Sequence, residues 1–316
     1  MAYKASDAIE TIVKSGIASA LENGPRQSSE LARDLSLAEP PLRVLLDFGV
    51  RIGLLERMEQ RFALTQTAMT MLPLIELELY TRSWHSDNDS LSKVLSDGRP
   101  QDPMADASQE TRQLYDRALS GFTRGLAIAI RRIRGLPKKA ALLDVGGGDG
   151  ALASELVRLG VARQAAVLDR PYVRSHFERR RIQCERPELF SFVDADLANP
   201  DGLGKHFANA DLIVLSNVVH LLSPPQRNRL WGALHNGCPP GATCLVYDQF
   251  PVSQDVAGGG SISASELMII DWLRCGVIFD LSVDGQSEEM AACGLRIQDI
   301  LHSPILPGKM IVSTTG

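Results

Sequence analysis

The chain has 316 residues, long for one domain and comfortable for two. A composition of 44% hydrophobic and 22% charged residues is that of a globular protein, and a net charge of −5 supplies no basic field for wrapping nucleic acid. No apolar run approaches the ~18 residues of a membrane span, and the polar start MAYKASDAIE has no signal-peptide core. Five scattered cysteines, with no C-x-x-C and no His/Cys cluster, predict reduced thiols in the cytoplasm and no metal centre.

Residues 6–22 suit an amphipathic helix, with Ile9, Ile12, Val13, Ile17 and Leu21 near helical spacing, and Asn23-Gly24-Pro25 stops it. Ser28 is placed to cap a second short helix, and Pro40-Pro41 opens a third that carries Leu42, Leu45, Leu46 and Val50 on one face. Two short strands follow at 54–57 and 61–65 about a polar turn. Helices followed by a small hairpin make a winged helix-turn-helix. Residues 1–72 hold eight lysines and arginines against nine aspartates and glutamates, and Asp47 lies between Arg43 and Arg51 on the third helix. A groove-reading helix needs a basic face, so the expected role of this domain is protein–protein packing rather than nucleic-acid binding. A transcriptional regulator is the alternative from another class.

Residues 74–135 are helical in pattern, with interruptions at 96–100 and 102–103, and carry Trp84, Tyr115 and Phe122. These patterns divide the chain into a winged-helix domain over 1–100, a helical linker over 101–136 and a final domain over 137–316.

The final domain opens with LLDVGGGDG at 142–150. Gly146-Gly147-Gly148 after an apolar strand lets the backbone bend sharply and approach a bulky polar ligand. A second apolar strand ends in Asp169, about 20 residues past the glycines, where an acid binds ribose hydroxyls. Strands at 140–146, 165–169, 190–196, 210–217 and 242–248 alternate with helices, which predicts a Rossmann-like, doubly wound, mostly parallel α/β sheet. The dinucleotide fingerprint needs a helix N-terminus free to meet a pyrophosphate. Asp144 and Asp149 crowd this turn and would repel one. A sulfonium cation would be attracted, so the loop favours S-adenosylmethionine over NAD.

The third strand runs into Asp196 and Leu197, placed to meet an adenine amino group and ring; a helix cap is the plain alternative for Asp196. The fourth runs from Asp211 to His220, which puts the imidazole just past the strand's carboxyl end, where such sheets bind ligands. With an unperturbed pKa of about 6.5 it suits proton abstraction at neutral pH. Arg174, Arg179, Arg180, Arg181 and Arg186 read as a solvated helix face. Gly258-Gly259-Gly260-Ser261 is either a lid or a surface loop. Residues 295–300 and 309–314 read as a closing hairpin.

These motifs together resemble the dimeric small-molecule O-methyltransferases of the caffeate type, over nearly the whole length. GPRQSSELARDL and RIGLLERMEQRFALTQTAMTML are similar to that family's dimerisation domain, LLDVGGGDGALASEL to its cofactor loop, and VLDRPYV to its D-L-P-x-V segment. DADL stands at its G-D-M-F, and NVVHLLSPPQRNRLWGAL at its His-Asp-Trp-Ser-Asp stretch. The resemblance implies a homodimer that methylates a hydroxyl of a small, aromatic secondary metabolite and releases S-adenosylhomocysteine. Gly146, Gly148 and Ser216 would line the methionine part, Asp169 would hold the ribose, and Asp196 and Leu197 the adenine. Asp144 and Arg170 complete the cofactor set, and His220 would be the general base. Trp84, Phe122, Met268 and Trp272 are candidate walls of the acceptor pocket. The chain departs from the family where Leu221 and Leu222 replace the acid and tryptophan after the histidine. The family's G-x-E-R-T segment, whose glutamate orients the histidine, has no clear counterpart; Asp280 is the nearest candidate. An unoriented histidine is a weaker base, which keeps open nitrogen or carbon acceptors, and non-methylating chemistry such as rearrangement, hydroxylation or decarboxylation.

Overall fold

A computed structural model describes residues 2–69, 71–72, 75–76, 78–79, 90–97, 108, 122–199, 202–250, 270, 273, 281–302 and 308–316. The chain forms two compact units, one of residues 1–88 with 103–121 and one of residues 89–102 with 122–316.

In the first unit the apolar spacing of residues 6–22 yields two helices, Ala2–Lys14 and Ile17–Glu22, rather than one. The break is at Gly16, whose φ of 79° is left-handed and open to glycine without strain. The next helix, Ser28–Asp34, is capped by Gln27 and not by Ser28: the backbone N–H of Gln27 donates to Glu30 Oε2 at 2.9 Å in a reciprocal capping box. The proline-led helix spans Glu39–Arg51. Strands β1 (Arg26–Gln27), β2 (Leu55–Met58) and β3 (Arg61–Leu64) form an antiparallel sheet in the order β1-β3-β2. Ile12, Ile17, Leu21, Leu31, Leu42, Leu46, Leu55 and Phe62 fill the core. On the Glu39–Arg51 helix and its cap, Val44, Phe48 and Ile52 are 71%, 37% and 36% exposed. Their spacing of four puts them in one row.

The second unit is built on a seven-stranded sheet of β4 (Ala140–Val145), β5 (Ala162–Asp169), β6 (Phe190–Asp194), β7 (Leu212–Ser216), β8 (Thr243–Asp248), β9 (Arg296–His302) and β10 (Lys309–Thr314). The order is β6-β5-β4-β7-β8-β10-β9. The first five strands run parallel, and β10 lies antiparallel between β8 and β9. Both faces are covered, so the central strands are apolar throughout instead of alternating. Leu143 and Val145 of β4 face a core with Phe207, Leu230, Trp231, Leu234 and Met290. Ala140 and Leu142 face another with Leu126, Ile130, Leu152, Leu156 and Phe177. Chain order reverses between β4 and β7, and that switch point is the crevice where open α/β sheets bind ligands.

Among the described residues no helix is long and apolar enough to cross a membrane, and no His/Cys/Asp/Glu group is spaced to hold a metal ion.

The helices Gly204–Phe207 and Pro224–Gly237 meet backbone to backbone. A Cβ at Gly237 would stand 2.4 Å from the Gly204 carbonyl oxygen, whereas one at Gly232, in the same helix, meets nothing within 4 Å. Gly237→Ala is therefore expected to destabilise the fold by ~1–3 kcal/mol through overpacking. Gly232→Ala should be neutral or stabilise by up to ~1 kcal/mol through helix propensity. Urea unfolding of the two variants checks this, and equal effects would rule out the close approach.

Candidate functional site

The turn after β4 has a separate mechanical reason for each glycine. Gly146 (φ 69°) donates its N–H to the Leu168 carbonyl at 2.7 Å, and a Cβ there would stand 2.5 Å from a methyl of Val218. A Cβ at Gly147 would lie 2.5 Å from the carboxyl carbon of Asp144. Gly148 (φ 58°) has open space where a side chain would go, which leaves its surface free for a ligand.

Asp144 is 1% exposed and lies beneath this turn. One oxygen is engaged by the Ala153 backbone, and Oδ2 has no partner among the described residues. Burial, with smaller contributions from the Asp169 and Asp149 charges and opposed by the Ala153 N–H, pushes the carboxyl up to about 7. Asp144 therefore supports the turn from below and does not present a full negative charge to a ligand. Asp149 is also occupied: Oδ1 accepts from the Ala151 N–H at 3.0 Å, and Oδ2 from Arg180 Nη2 at 2.6 Å and Nε at 2.8 Å. Of the two acids that crowd this turn, Asp144 is thus buried beneath it and Asp149 is paired with Arg180.

Asp169 ends β5 half-buried. Its Oδ2 accepts from Gly148 N–H at 2.8 Å and its Oδ1 from Arg170 N–H at 2.7 Å. Two backbone donors fix its orientation and leave lone pairs for further hydroxyl donors. The Arg170 side chain is exposed, with its guanidinium 4.8 Å from the ring centre of Tyr172. Asp196 lies exposed past β6, its Oδ1 accepting from Ala198 N–H at 3.0 Å, and Leu197 packs partly against the core. The arginine group is not a merely solvated face. Besides Arg180 on Asp149, Arg174 holds Asp194 at 2.5 Å and Arg181 reaches Glu178 and the Pro187 carbonyl.

At the end of β7, Ser216 is half-buried and Asn217 takes a left-handed φ of 53° while donating its N–H to the Tyr247 carbonyl at 2.9 Å. Asparagine tolerates that conformation better than most residues. The chain then makes a 3₁₀ turn, Val219–Leu221, that carries His220. The imidazole is 2% exposed, and its Nδ1 lies 2.7 Å from Asp248 Oδ1. Asp248 Oδ2 accepts the backbone N–H groups of Val219 (3.1 Å) and His220 (3.3 Å), and Oδ1 also accepts that of Gln249 (2.8 Å). Val219, His220, Asp248, Gln249, Phe250, Leu281 and Gln286 line a small cavity.

The acid beside His220 is therefore Asp248. It went unnoticed in the sequence although it closes the strand read at 242–248, and an acid at the carboxyl end of a parallel strand was the signal used for Asp169 and Asp196. Asp280 lies outside the described residues, as do Trp84, Met268, Trp272 and the 258–261 loop. Phe122 is half-buried, with its ring 5.5 Å from that of Tyr247 in the core.

Residues 101–270 match the family model described as the O-methyltransferase domain, and residues 1–73 that described as the O-methyltransferase dimerisation domain. Over 268 residues the chain is 24% identical to the tetracenomycin polyketide synthesis 8-O-methyl transferase TcmO of Streptomyces glaucescens, covering 79% of this chain and 76% of that one. It is 26% identical over 250 residues to a human protein named as a probable bifunctional dTTP/UTP pyrophosphatase/methyltransferase, covering 72% of this chain but spanning only 39% of that longer protein. Among solved structures it superposes on CalO1, a methyltransferase in calicheamicin biosynthesis in its SAH-bound form, with a TM-score of 0.75 at 20% identity, over 100% of this chain and 96% of that one.

The Asp144 carboxyl gives a pH test with a definite sign. Between about pH 4, where an unfolded aspartate ionises, and about 7, the folded chain keeps a proton that the unfolded chain has released. Stability from this group falls as pH rises through that window and is level above it. Asp144→Asn cannot ionise, so it should gain on the wild type by up to about 4 kcal/mol across the window. Urea unfolding of both chains at stepped pH measures the difference. A difference independent of pH would contradict the burial of an ionisable group here.

Proposed function

The chain belongs to the O-methyltransferase family, and on that premise we propose that it methylates a hydroxyl of a small, aromatic natural product with His220 as general base. The observation that carries this is the buried 2.7 Å contact between His220 Nδ1 and Asp248 Oδ1. TcmO, named for 8-O-methyl transfer in polyketide synthesis, supports the acceptor class.

The methyl donor is S-adenosylmethionine, which when bound supplies an electrophilic methyl on a sulfonium and leaves as S-adenosylhomocysteine. The residues fit it: the turn is open at Gly148, and the Asp169 carboxylate is held at the sheet's carboxyl edge with lone pairs to spare for ribose hydroxyls. Gly146, Gly148 and Ser216 would line the methionine part, with Asp144 holding the turn from beneath. Asp196 and Leu197 would meet the adenine, and Arg170 the outer rim.

The protein's own chemical task is to align a hydroxyl and take its proton. A phenol has a pKa of about 10 and attacks well only as a base removes the proton. With Nδ1–H donated to Asp248, Nε2 of His220 is the basic atom. Asp248, beside Nδ1, would stabilise the imidazolium formed as His220 takes the hydroxyl proton. A buried site strengthens that interaction. Nitrogen or carbon acceptors and non-methylating chemistry were kept open because the sequence offered no acid to orient the histidine. Asp248, beside the imidazole, favours the hydroxyl reading over these.

His220→Ala should lower kcat by ~100-fold or more while leaving calorimetric affinity for S-adenosylhomocysteine unchanged. Mass spectrometry of the product should show the gain of one methyl. An unchanged rate in the variant would leave alignment alone as the source of catalysis, and absent cofactor affinity would remove the reading altogether.

The match of residues 1–73 to a dimerisation domain and the exposed row of Val44, Phe48 and Ile52 support a homodimer formed through this unit. The domain limits 1–100, 101–136 and 137–316 stand as the corresponding proposal for the whole chain. Phe48→Asp should shift the protein toward monomer in analytical ultracentrifugation; a sedimentation coefficient equal to the wild type's would place the dimer contact elsewhere.

A further inference from the structure

The turn that presents His220 sits between β7 and a helix that opens with two prolines, and the two residues after the histidine carry no polar side chain. Leu221 is exposed and Leu222 is buried. The turn is nevertheless held at both ends. Asp248 takes the N–H groups of Val219 and His220, and the Leu222 carbonyl accepts from Arg227 Nη1 at 2.9 Å.

Arg227 is an unusual residue to find there. It stands on the Pro224–Gly237 helix with its side chain 3% exposed. Its Nε and Nη2 donate to the two oxygens of Glu289 at 3.0 and 3.1 Å, a parallel two-pronged pair of the geometrically specific kind. Gln286 Nε2 adds a 3.5 Å contact to the same carboxylate. Glu289 comes 62 residues later in the chain, on the helix Val283–Ala292. One guanidinium thus ties the end of the His220 turn to a separate helix. Arg227 also lines the cavity that His220 and Asp248 border.

An ion pair with a buried guanidinium and a partly buried carboxylate is a poor device for stability alone, since apolar residues of similar volume often do as well or better. A planar guanidinium with donors in a rigid fork is a good device for fixing positions. We propose that Arg227 and Glu289 are positioning residues for methyl transfer, bracing the turn so that His220 and Asp248 meet the acceptor hydroxyl in register. The proposal rests on His220 being the base of that reaction.

Removing Glu289 alone would leave the Arg227 charge buried without its carboxylate and threaten folding. The informative variant is Arg227→Met/Glu289→Leu, which replaces the pair by apolar groups. Its thermal midpoint should stay at or above the wild type's. Its kcat should fall by about tenfold or more, as expected for a slightly misplaced catalytic group, while KM for S-adenosylmethionine and calorimetric affinity for S-adenosylhomocysteine hold. Arg227→Lys, which keeps the charge and loses the fork, serves if the double variant does not fold, and should show the same split between kcat and KM. The readout free of turnover is ¹⁵N-histidine NMR of the ligand-free protein: the wild-type imidazole should hold one tautomer, protonated at Nδ1, and the variants should lose it. Variants with wild-type kcat and a wild-type imidazole spectrum would overturn the proposal. A wild-type enzyme that transfers no methyl group overturns the reaction on which it rests, and an altered imidazole in the variants would then still uphold the brace.

Discussion

Four donors converge on the two oxygens of Asp248, which is itself wholly buried: the imidazole of His220 and the backbone N–H groups of Val219, His220 and Gln249. An ionised carboxylate left bare in such a place would cost many kcal/mol. Convergent donors make the burial tolerable, and in doing so they fix the path of the chain. β7 and β8 pair in parallel up to Ser216 and Tyr247, and the Asp248 carboxylate then draws in the turn that leaves β7. The same interaction shapes the backbone and fixes the orientation of the imidazole.

The cofactor turn is built on a related principle with a different balance. Asp144 also lies wholly inside, but it has fewer donors, and burial holds its carboxyl near neutrality. It acts as a packing element under Gly147, which fits only because a glycine stands there. Asp169 is only half-buried, and two backbone donors hold its carboxylate at the sheet's carboxyl edge. Three acids near one turn thus differ in setting: Asp144 supports it from beneath, Asp149 pairs with Arg180 and accepts the Ala151 N–H within the turn, and Asp169 is held by two backbone donors.

Features governed by local chemistry were legible in the sequence. Parallel strands covered on both faces read as continuous apolar runs, and the seven strands fall within a few residues of the positions those runs indicate. The glycine turn, Asp169 and His220 were legible because strand ends and turn residues have local signatures. The break at Gly16 was missed because helical spacing continues across it, and only a left-handed φ marks the interruption. The cap at Gln27 was missed because glutamine ranks below serine as a cap and owes its place here to Glu30. The pairs Arg180–Asp149, Arg227–Glu289 and His220–Asp248 join elements distant in the chain, and no spacing rule reports them.

That last class explains how His220 meets an acid that its own sequence neighbours do not supply. Sequence neighbours of His220 are leucines, one exposed and one in the core. Its spatial neighbour is the end of the adjacent strand, set by sheet order. Once β7 and β8 lie side by side in register, the residue after Tyr247 is bound to emerge next to the turn that follows β7, and an aspartate there suffices to reach the imidazole. The His220–Asp248 pair is then a property of strand adjacency. The residues after the histidine are released from polar duty, and Leu222 is free to join the core while Arg227 secures its carbonyl.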